Sequence, residues 1–419
     1  MTPSKPSSSV IIIGGGFSGL AMACQLQRKF NLDDYVIYDR NAGIGGAWWA
    51  NTYPGCGVDI PGICYSLSFA PNTEFTKFFP SQSEILNYIH RVAIQCGVCN
   101  HFSGETEWVG ATWQEEKQSW LVKLKDLKTG DQFTQECRIL ISGVGGLVNP
   151  RNINIRGSET LKGSIIHTAR WQNDIDLRDK QVSVIGNGAS AIQLIPEIVK
   201  EAKSVTQFMR RRVFDRSYTA SLHRDNLALT DDPIVQIKPQ TIVTASKKEI
   251  PTDIIILATG FELTQYEVEI KGRNGKTRDQ YWKEAEGKAT FKTVAMSDFP
   301  NFFYVLGPNS GRVYTSTLLI IERQEQNLLF WNHQVDLIVN AIRPIISLHA
   351  SSVEVRVDRD KKYQDVLNHA LNKTIYDRSC STYFFDEGTG KNWFIYPWNS
   401  FHMWLEMCWD TSAGWEYHK

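Results

Sequence analysis

The first clear pattern along the chain is a run of β-branched residues at 10–13, which predicts a buried strand of a parallel sheet. A glycine-rich turn follows this run, and residues 20–30 have the apolar spacing of a helix. A second apolar strand at 35–38 then ends in Asp39. Strand, turn, helix and strand in this order predict a βαβ unit of a doubly wound α/β fold.

The same kind of pattern returns later in the chain. Residues 181–185 predict a strand, residues 192–202 a helix, and residues 205–209 a further strand. Between the two units, residues 81–97 have helical spacing with Ser83 as a candidate cap, and the alternation over 106–133 predicts a β-meander. Other predicted elements are strands at 137–146, 242–245, 252–258, 302–306 and 353–357 and helices at 316–342 and 363–371.

The first glycine-rich turn has the composition of a dinucleotide site. Gly14, Gly16 and Gly19 have G-x-G-x-x-G spacing directly after the first predicted strand. The first glycine permits a tight turn, the second lets the backbone approach a pyrophosphate, and the third lets the helix pack on the strand. The helix N-terminus adds free N–H groups and a partial positive charge. Asp39 is placed to accept a hydrogen bond from a ribose hydroxyl, which an ordinary glycine-rich turn would not explain.

The second turn has the opposite charge beside it. Gly186, Gly188 and Ala191 repeat the spacing as G-x-G-x-x-A after the strand at 181–185. The second strand of this unit ends in three arginines at 210–212, where the first unit has an acid. Because arginine suits a 2′-phosphate, this unit predicts NADPH as its ligand; the alternative is a solvated arginine run.

Composition narrows the classes of function. The formal net charge is zero with 21% charged residues, which gives no general attraction to nucleic acid or anionic membranes. The first nine residues lack the apolar core of a signal peptide and predict a flexible tail, and no apolar run is long enough to span a membrane. Cys96 and Cys99 form a C-x-x-C without a second pair at zinc spacing. We therefore predict no metal site and a reduced, cytoplasmic chain.

Several motifs together resemble those of the Baeyer–Villiger and related class B flavin monooxygenases. HTARW at 167–171, preceded by Gly163, is similar to the F-x-G-x-x-x-H-x-x-x-W signature of that family and lies between the two glycine motifs. The segments GGAWWANTYPGCGVDIPGICYSLSF, RRVFDRSYTASLHRDN, DIIILATGF and GPNSG also match. The resemblance covers nearly the whole chain.

The resemblance implies an α/β fold with two Rossmann-like dinucleotide-binding domains, one for FAD and one for NADPH. The FAD domain is expected to be discontinuous and the NADPH domain shortened. The expected bounds are 1–9 for the flexible tail, 10–155 and 260–419 for the FAD-binding domain, and 156–259 for the NADPH-binding domain.

The resemblance assigns the site residues of the family to matching positions of this sequence. Those expected to bind the two cofactors are Gly14, Gly16, Ser18, Gly19, Asp39, Arg40, Gly46, Trp48, Trp49, Asp59, Tyr65, Val109, Gly186, Gly188, Ser190, Arg210 and Asn309. Gly163, His167 and Trp171 are expected at an interdomain hinge. Arg211 matches the active-site arginine of the family, and Asp59 matches the acid that orients it.

The activity implied is that of an FAD-dependent monooxygenase with NADPH as electron donor. NADPH would reduce FAD, and O2 would add at flavin C4a to form a peroxyflavin. The peroxide, stabilised by Arg211 and retained NADP+, would attack a ketone to give an ester or lactone. A guanidinium suits this role because it stays charged and can stabilise an anionic peroxide and a tetrahedral adduct. The expected substrate is a hydrophobic small molecule resembling a secondary metabolite; no nucleic acid or transmembrane segment is expected.

The chain departs from the family pattern at three places. Leu161 stands where the signature has phenylalanine, and Gln172 stands where it has proline or an acid. The larger departure is that Arg210 and Arg211 are neighbours, whereas the family has a long helical insertion between them. This predicts an open active site, or one completed by a second subunit in a homodimer. Two alternatives stay open: a non-oxygenating flavoprotein that oxidises, isomerises or cyclises its substrate, and a non-catalytic protein on the same fold.

Overall fold

The computed structural model describes residues 3–209, 216–262, 268–311, 334–374, 384–385, 388–408 and 413–419. Its strands are β1 Ser4–Ile13, β2 Tyr35–Tyr38, β3 Phe102–Ser103, β4 Thr106–Gln114, β5 Ser119–Asp126, β6 Gln132–Ser142, β7 Asn149–Pro150, β8 Ser164–His167, β9 Gln181–Ile185, β10 Ser204–Phe208, β11 Leu227–Thr230, β12 Ile234–Lys238, β13 Thr241–Thr244, β14 Glu249–Pro251, β15 Ile254–Leu257, β16 Phe261–Glu262, β17 Glu269–Lys271, β18 Phe302–Tyr304, β19 Ser352–Val355 and β20 Trp415–His418. Its helices are α1 Phe17–Phe30, α2 Ala47–Ala50, α3 Gln82–Gln95, α4 Ala189–Ile198, α5 Arg216–Ser221, α6 Arg278–Glu284, α7 Gln334–Ile346, α8 Val357–Leu371 and α9 Ser400–Cys408.

The larger sheet has the strand order β17-β4-β5-β6-β1-β2-β3, and β18 also pairs with β6. β1 runs parallel to β2 and β6, and β18 runs parallel to β6. β4, β5 and β6 pair antiparallel, so the predicted meander is confirmed. The carboxyl ends of the parallel strands meet at one edge of the sheet, which is where open α/β sheets bind their ligands.

Burial of β1 explains why this sheet forms. Val10, Ile11 and Ile12 are fully buried. Val10 and Ile12 belong to the apolar cluster on one face of the sheet, and Ile11 belongs to the cluster on the other face. Each such side chain stabilises the fold by about 1.5–3 kcal/mol through removal from water, so β1 is a central strand covered on both faces.

The second sheet consists of five parallel strands in the order β11-β10-β9-β15-β8. Helix α4 packs on it through Ala191, Leu194 and Ile195, all fully buried. A separate antiparallel sheet of β12, β13 and β14 follows. The parallel core of the first sheet and the all-parallel second sheet confirm the predicted α/β fold with two Rossmann-like units.

A short ribbon joins the two sheets where the chain crosses between them. β7 pairs antiparallel with β16, and the N–H of Arg151 donates to the carbonyl oxygen of Gly260 over 2.9 Å. The strands of the second sheet lie between Ser164 and Leu257 in the chain, and β18 returns to the first sheet. The domain bounds stated above stay a prediction.

The N-terminus differs from the prediction. Residues 4–9, expected in a flexible tail, form the first part of β1 and pair with β6. The Gln135 side chain holds them by donating to the carbonyl oxygen of Pro6 over 2.8 Å and to Oγ of Ser8 over 3.0 Å. Residues 4–7 are exposed and Ser8 and Ser9 are half-buried, so the stretch shows no strand-like alternation of apolar and polar residues.

The N-cap of helix α3 lies two residues before the predicted one. Ser81, rather than Ser83, is the N-cap, and the Glu84 carboxylate accepts from the Ser81 backbone N–H over 3.2 Å as part of a capping box. The helix predicted at 316–342 falls largely outside the described residues, which show α7 from Gln334. α8 begins at Val357, six residues before the predicted start at Tyr363.

Two of the tryptophans near the C-terminus pack in the core. Trp393 and Trp415 are buried, and Trp415 meets Phe291 edge-on with ring centroids 5.9 Å apart. Trp409 lies outside the described residues. Among the helices that the structure describes, none has the length and apolar character needed to cross a membrane.

Candidate active site

The first glycine turn is built as its spacing predicts. Gly14 has φ +104°, and its N–H donates to the carbonyl oxygen of Tyr38 over 2.7 Å. A Cβ added at Gly14 would lie 2.4 Å from the carbonyl oxygen of Gly143, and one added at Gly19 would lie 1.9 Å from that of Gly14. Both positions therefore require glycine, one for its backbone angle and both for close approach.

The N-terminus of α1 is open to an anion. Gly16 is the N-cap, no side chain caps it, and the first turn contains no acidic residue. Ser18 is buried within this turn. Gly46, at φ +56°, lies so close that its added Cβ would be 2.7 Å from Cα of Gly16. Two glycine backbones thus shape the space in front of the helix, where N–H groups and the helix dipole favour phosphate.

Asp39 organises the turn itself. Its Oδ2 accepts from the Gly15 N–H over 2.6 Å, and its Oδ1 accepts from the Asn41 N–H over 2.7 Å. Burial raises the pKa of the Asp39 carboxyl, although both hydrogen bonds and Arg40 act in the opposite direction. Arg40 itself is exposed and donates to Oδ1 of Asn149 over 3.0 Å. Asp39 therefore fixes the backbone beside the glycine turn, and its hydrogen bond to a ribose stays a prediction.

An aromatic loop, residues 43–69, follows β2 in the first unit. Trp48 meets Tyr65 edge-on with ring centroids 5.4 Å apart, and Trp49 lies 6.0 Å from the ring of His90 on α3. Burial raises the pKa of Tyr65, and the negative charge of Asp59 raises it further. Asp59 is exposed, so its carboxylate is accessible beside this loop.

Two other predicted positions lie on the first sheet. Val109 is on β4 at an irregularity in its pairing with β5. Asn309 is buried at φ +60°, and its Nδ2 donates to the carbonyl oxygens of Asn392 and Ile395, each over 3.1 Å. Its Oδ1 is buried with no hydrogen-bond partner in the described part of the chain. An orphaned acceptor of this kind fits a site whose donor belongs to a bound group.

The second glycine turn repeats the first in detail. Gly186 has φ +123°, its N–H donates to the carbonyl oxygen of Phe208 over 3.0 Å, and an added Cβ would lie 2.2 Å from the carbonyl oxygen of Ala258. Gly188 is the N-cap of α4, with no side-chain cap and no acidic residue in the first turn. A Cβ at Gly188 would have no atom within 4 Å. This open space before a helix N-terminus fits a second pyrophosphate.

Arg210 and Arg211, the residues predicted for NADPH and for the chemistry, lie outside the described residues. The residues that flank them are held near the second glycine turn. Tyr218 donates to Oε1 of Gln207, and Nε2 of Gln207 donates to the carbonyl oxygen of Gly186 over 3.0 Å.

The signature residues lie where the second sheet meets the ribbon. His167 ends β8, its Nδ1 accepts from the Ala169 N–H over 3.0 Å, and its Nε2 lies 3.3 Å from Oγ1 of Thr259. Burial lowers the pKa of His167, so the neutral ring is favoured. Gly163 leaves no room for a side chain, since an added Cβ would lie 1.7 Å from the carbonyl oxygen of Asp253, and Trp171 packs against the core of this unit. Their role as a hinge stays a prediction.

Sequence reasoning missed several supporting residues. Gln82 donates to the carbonyl oxygen of Trp48, and His90 Nε2 lies 2.8 Å from that of Ile44, so α3 holds the aromatic loop. Tyr53 and Gln193 join this loop to α4. Only the tyrosine in the conspicuous 43–69 segment gave any signal; the others are polar residues on predicted helices.

Both helix N-termini thus have the open, uncapped geometry that dinucleotide phosphates require. Gly16, Ser18 and Asp39 would hold FAD, and Gly188 and Ser190 would hold NADPH. Within the described ranges, no group of three or more His, Cys, Asp or Glu residues could hold a metal ion.

Comparison with known proteins agrees with this geometry. Residues 11–231 match the model of the pyridine nucleotide-disulphide oxidoreductase family. The chain is 24% identical over 477 positions to a Baeyer-Villiger monooxygenase of Streptomyces coelicolor, which covers 93% of this chain and 88% of that protein. It is 28% identical over 411 positions to an FAD-binding monooxygenase of Botryotinia fuckeliana, covering 75% of this chain and 77% of the relative.

The fold is also that of solved monooxygenases. The structure of an oxidised steroid monooxygenase bound to NADP has a TM-score of 0.87 at 22% identity, covering 99% of this chain and 100% of that one. The alignment to the Streptomyces protein has 477 positions, of which only about 390 are residues of this chain, 93% of 419. About 87 alignment positions therefore have no residue of this chain opposite them.

Proposed function

Since the chain belongs to the pyridine nucleotide-disulphide oxidoreductase family, in its Baeyer–Villiger branch of class B flavin monooxygenases, we propose that it inserts one oxygen atom of O2 beside a ketone carbonyl. It is an FAD-dependent oxidoreductase with NADPH as electron donor. The substrate proposed is a hydrophobic ketone, and the product an ester or lactone. The observation that carries the proposal is the presence of two open glycine turns in one chain, the first followed by Asp39 and the second by arginines.

The residues of the first unit would bind FAD and fix its orientation. Gly14 and Gly19 set the turn, and the N–H groups of the α1 N-terminus face the pyrophosphate. Asp39 accepts from the ribose while holding the Gly15 N–H. When bound, FAD supplies the hydride acceptor and the place where oxygen reacts.

The second unit positions the electron donor. Gly188 and the first turn of α4 receive the pyrophosphate of NADPH, and Arg210 pairs with its 2′-phosphate. Arg211 stabilises negative charge that develops on oxygen during the reaction, because its guanidinium stays protonated at any working pH. Asp59, exposed at the aromatic loop, orients Arg211.

A second candidate is a flavoprotein of the same family that no longer transfers oxygen. It is favoured by the adjacency of Arg210 and Arg211, together with the roughly 87 alignment positions that this chain lacks. A shortened NADPH unit would shield the flavin less completely from water. Such an enzyme would use bound FAD to oxidise, isomerise or cyclise its substrate.

The variant Arg211→Ala tests the proposal. We expect it to retain FAD but to lose ester formation from a panel of cyclic ketones, measured by mass spectrometry, because no fixed cation remains to stabilise the oxygen anion. Arg91→Ala is the control, since Arg91 forms a partly exposed ion pair with Glu74, and it should leave the ester yield unchanged. Unchanged product formation by Arg211→Ala would remove Arg211 from this role.

A further inference from the structure

A contact between the two units lies away from the ribbon that joins them. Tyr53, on the aromatic-loop side, donates through its hydroxyl to Oε1 of Gln193 on α4 over 2.8 Å. Nε2 of Gln193 in turn donates to the carbonyl oxygen of Gly57 over 3.0 Å. One amide side chain thus accepts from and donates to the same loop. Tyr53 is buried among apolar residues of the second unit, including Leu194 and Ile195.

The backbone fits this contact as closely as the side chains do. Gly55 has φ +79°, and a Cβ added there would lie 2.3 Å from the carbonyl oxygen of Gln193. On its other side the loop is tied to α3, because the Gln82 N–H donates to the carbonyl oxygen of Cys56 over 2.9 Å. The loop 53–57 is therefore clamped between α3 of the first unit and α4 of the second.

Each end of the clamp leads to a candidate cofactor site. The Tyr53 hydroxyl binds Gln193 on α4, the helix whose first turn carries Ser190 at the proposed NADPH pyrophosphate site. Asp59 follows the loop by two residues, and its charge acts on both Tyr53 and Tyr65. A continuous set of contacts thus runs from the N-terminus of α4 to the aromatic loop.

We propose that Tyr53 and Gln193 are positioning residues that couple the two dinucleotide sites. A nucleotide held at the N-terminus of α4 fixes the first turn of that helix, and through Tyr53 and Gln193 it fixes the loop that carries Asp59 and Tyr65 toward the flavin. The inference rests on the proposed function in requiring both nucleotides. It adds to that function two residues, 140 positions apart in the chain, that act through other residues and not on the substrate.

The test is a titration of the FAD-loaded protein with NADP+, following binding by calorimetry and the flavin by absorbance. In the wild type, NADP+ binding is expected to change the flavin spectrum. Tyr53→Phe and Gln193→Ala should keep their FAD but lose most of this change. Their anaerobic reduction by NADPH should slow by about 3- to 10-fold, the effect of one buried hydrogen bond. The double variant should be no worse than Gln193→Ala alone, because that variant already lacks the acceptor of the Tyr53 hydroxyl.

Two further variants separate positioning from general damage. Gln193→Glu keeps the acceptor for Tyr53 but loses the donor to Gly57, so it should restore part of the spectral response. Tyr417→Phe removes a hydroxyl that donates to the carbonyl oxygen of Ala341 over 3.2 Å in the first unit, and it should behave as wild type.

The spectral response and the reduction rate together decide whether the two dinucleotide sites are coupled. Coupling is wrong if Tyr53→Phe and Gln193→Ala match the wild type in spectrum and reduction rate, or if the wild-type flavin does not respond to NADP+. If the spectrum responds through Tyr53 and Gln193 but NADPH fails to reduce the flavin, the proposed electron transfer fails while the coupling stands.

Discussion

Gly186 and Gly188 are two residues apart in the second turn, yet their surroundings differ. At Gly186 a side chain meets strained backbone and the carbonyl oxygen of Ala258 at 2.2 Å. We expect Gly186→Ala to lower the free energy of unfolding by about 1–3 kcal/mol. At Gly188 the space is open, so Gly188→Ala should cost only the difference between glycine and alanine at an N-cap, less than about 1 kcal/mol.

The variants at Gly186 and Gly188 also separate an effect on stability from an effect on NADPH binding. The added methyl group of Gly188→Ala would stand where a pyrophosphate approaches the backbone, so the Kd for NADPH should rise about tenfold, equivalent to about 1.4 kcal/mol. Chemical denaturation and calorimetric NADPH titration measure the two effects. Unchanged NADPH affinity in Gly188→Ala would place the nucleotide elsewhere.

His167 predicts a pH dependence of stability. Because burial lowers its pKa below the ordinary 6.5, the unfolded chain takes up a proton that the folded protein excludes as the pH falls through 6.5. This contribution to stability is therefore present above pH 6.5 and lost below it. His167→Gln should flatten the fall in unfolding free energy between neutral and acidic pH, by at most about 1.4 kcal/mol per pH unit. Parallel pH profiles of His167→Gln and wild type would show that His167 titrates alike in both states.

At the scale of elements, helix α3 supports the aromatic loop and depends on its own cap. Glu84 accepts from the backbone N–H of Ser81 and, over 2.8 Å, from both the N–H and the hydroxyl of Thr76. Glu84→Ala should lower the free energy of unfolding by about 0.5–2 kcal/mol through loss of this cap. The exposed residue Glu116 provides a control, and Glu116→Ala should stay within about 0.5 kcal/mol of wild type. Equal stability of the two variants in urea denaturation would contradict a role for the cap.

Elements with local signals could be predicted from the sequence, and those made by distant partners could not. The glycine turns were predictable because Gly14 and Gly19 encode close approaches within one βαβ unit. The strand at residues 4–9 was not, because its polar residues are held by Gln135 on another strand. The contact of Tyr53 with Gln193 was equally hidden, since Gln193 has no local motif and the loop approaches α4 only in the folded chain.

At the scale of the whole molecule, the parallel strands of two sheets present their carboxyl ends to two nucleotide sites. The sheets are joined by the ribbon of β7 and β16 and by the loop 53–57. This arrangement accounts for an electron donor in one unit and an acceptor in the other. The chain lacks about 87 of the positions in its alignment to the Streptomyces relative.

An anaerobic absorbance titration of the purified holoenzyme with NADPH, followed by rapid mixing with oxygen, tests the proposal most directly. We predict that NADPH bleaches the yellow flavin, and that oxygen then produces a transient species whose absorbance matches neither reduced nor oxidised flavin. A bound flavin that NADPH does not bleach would contradict the account. Direct return of the oxidised spectrum without any transient would favour the flavoprotein that does not transfer oxygen.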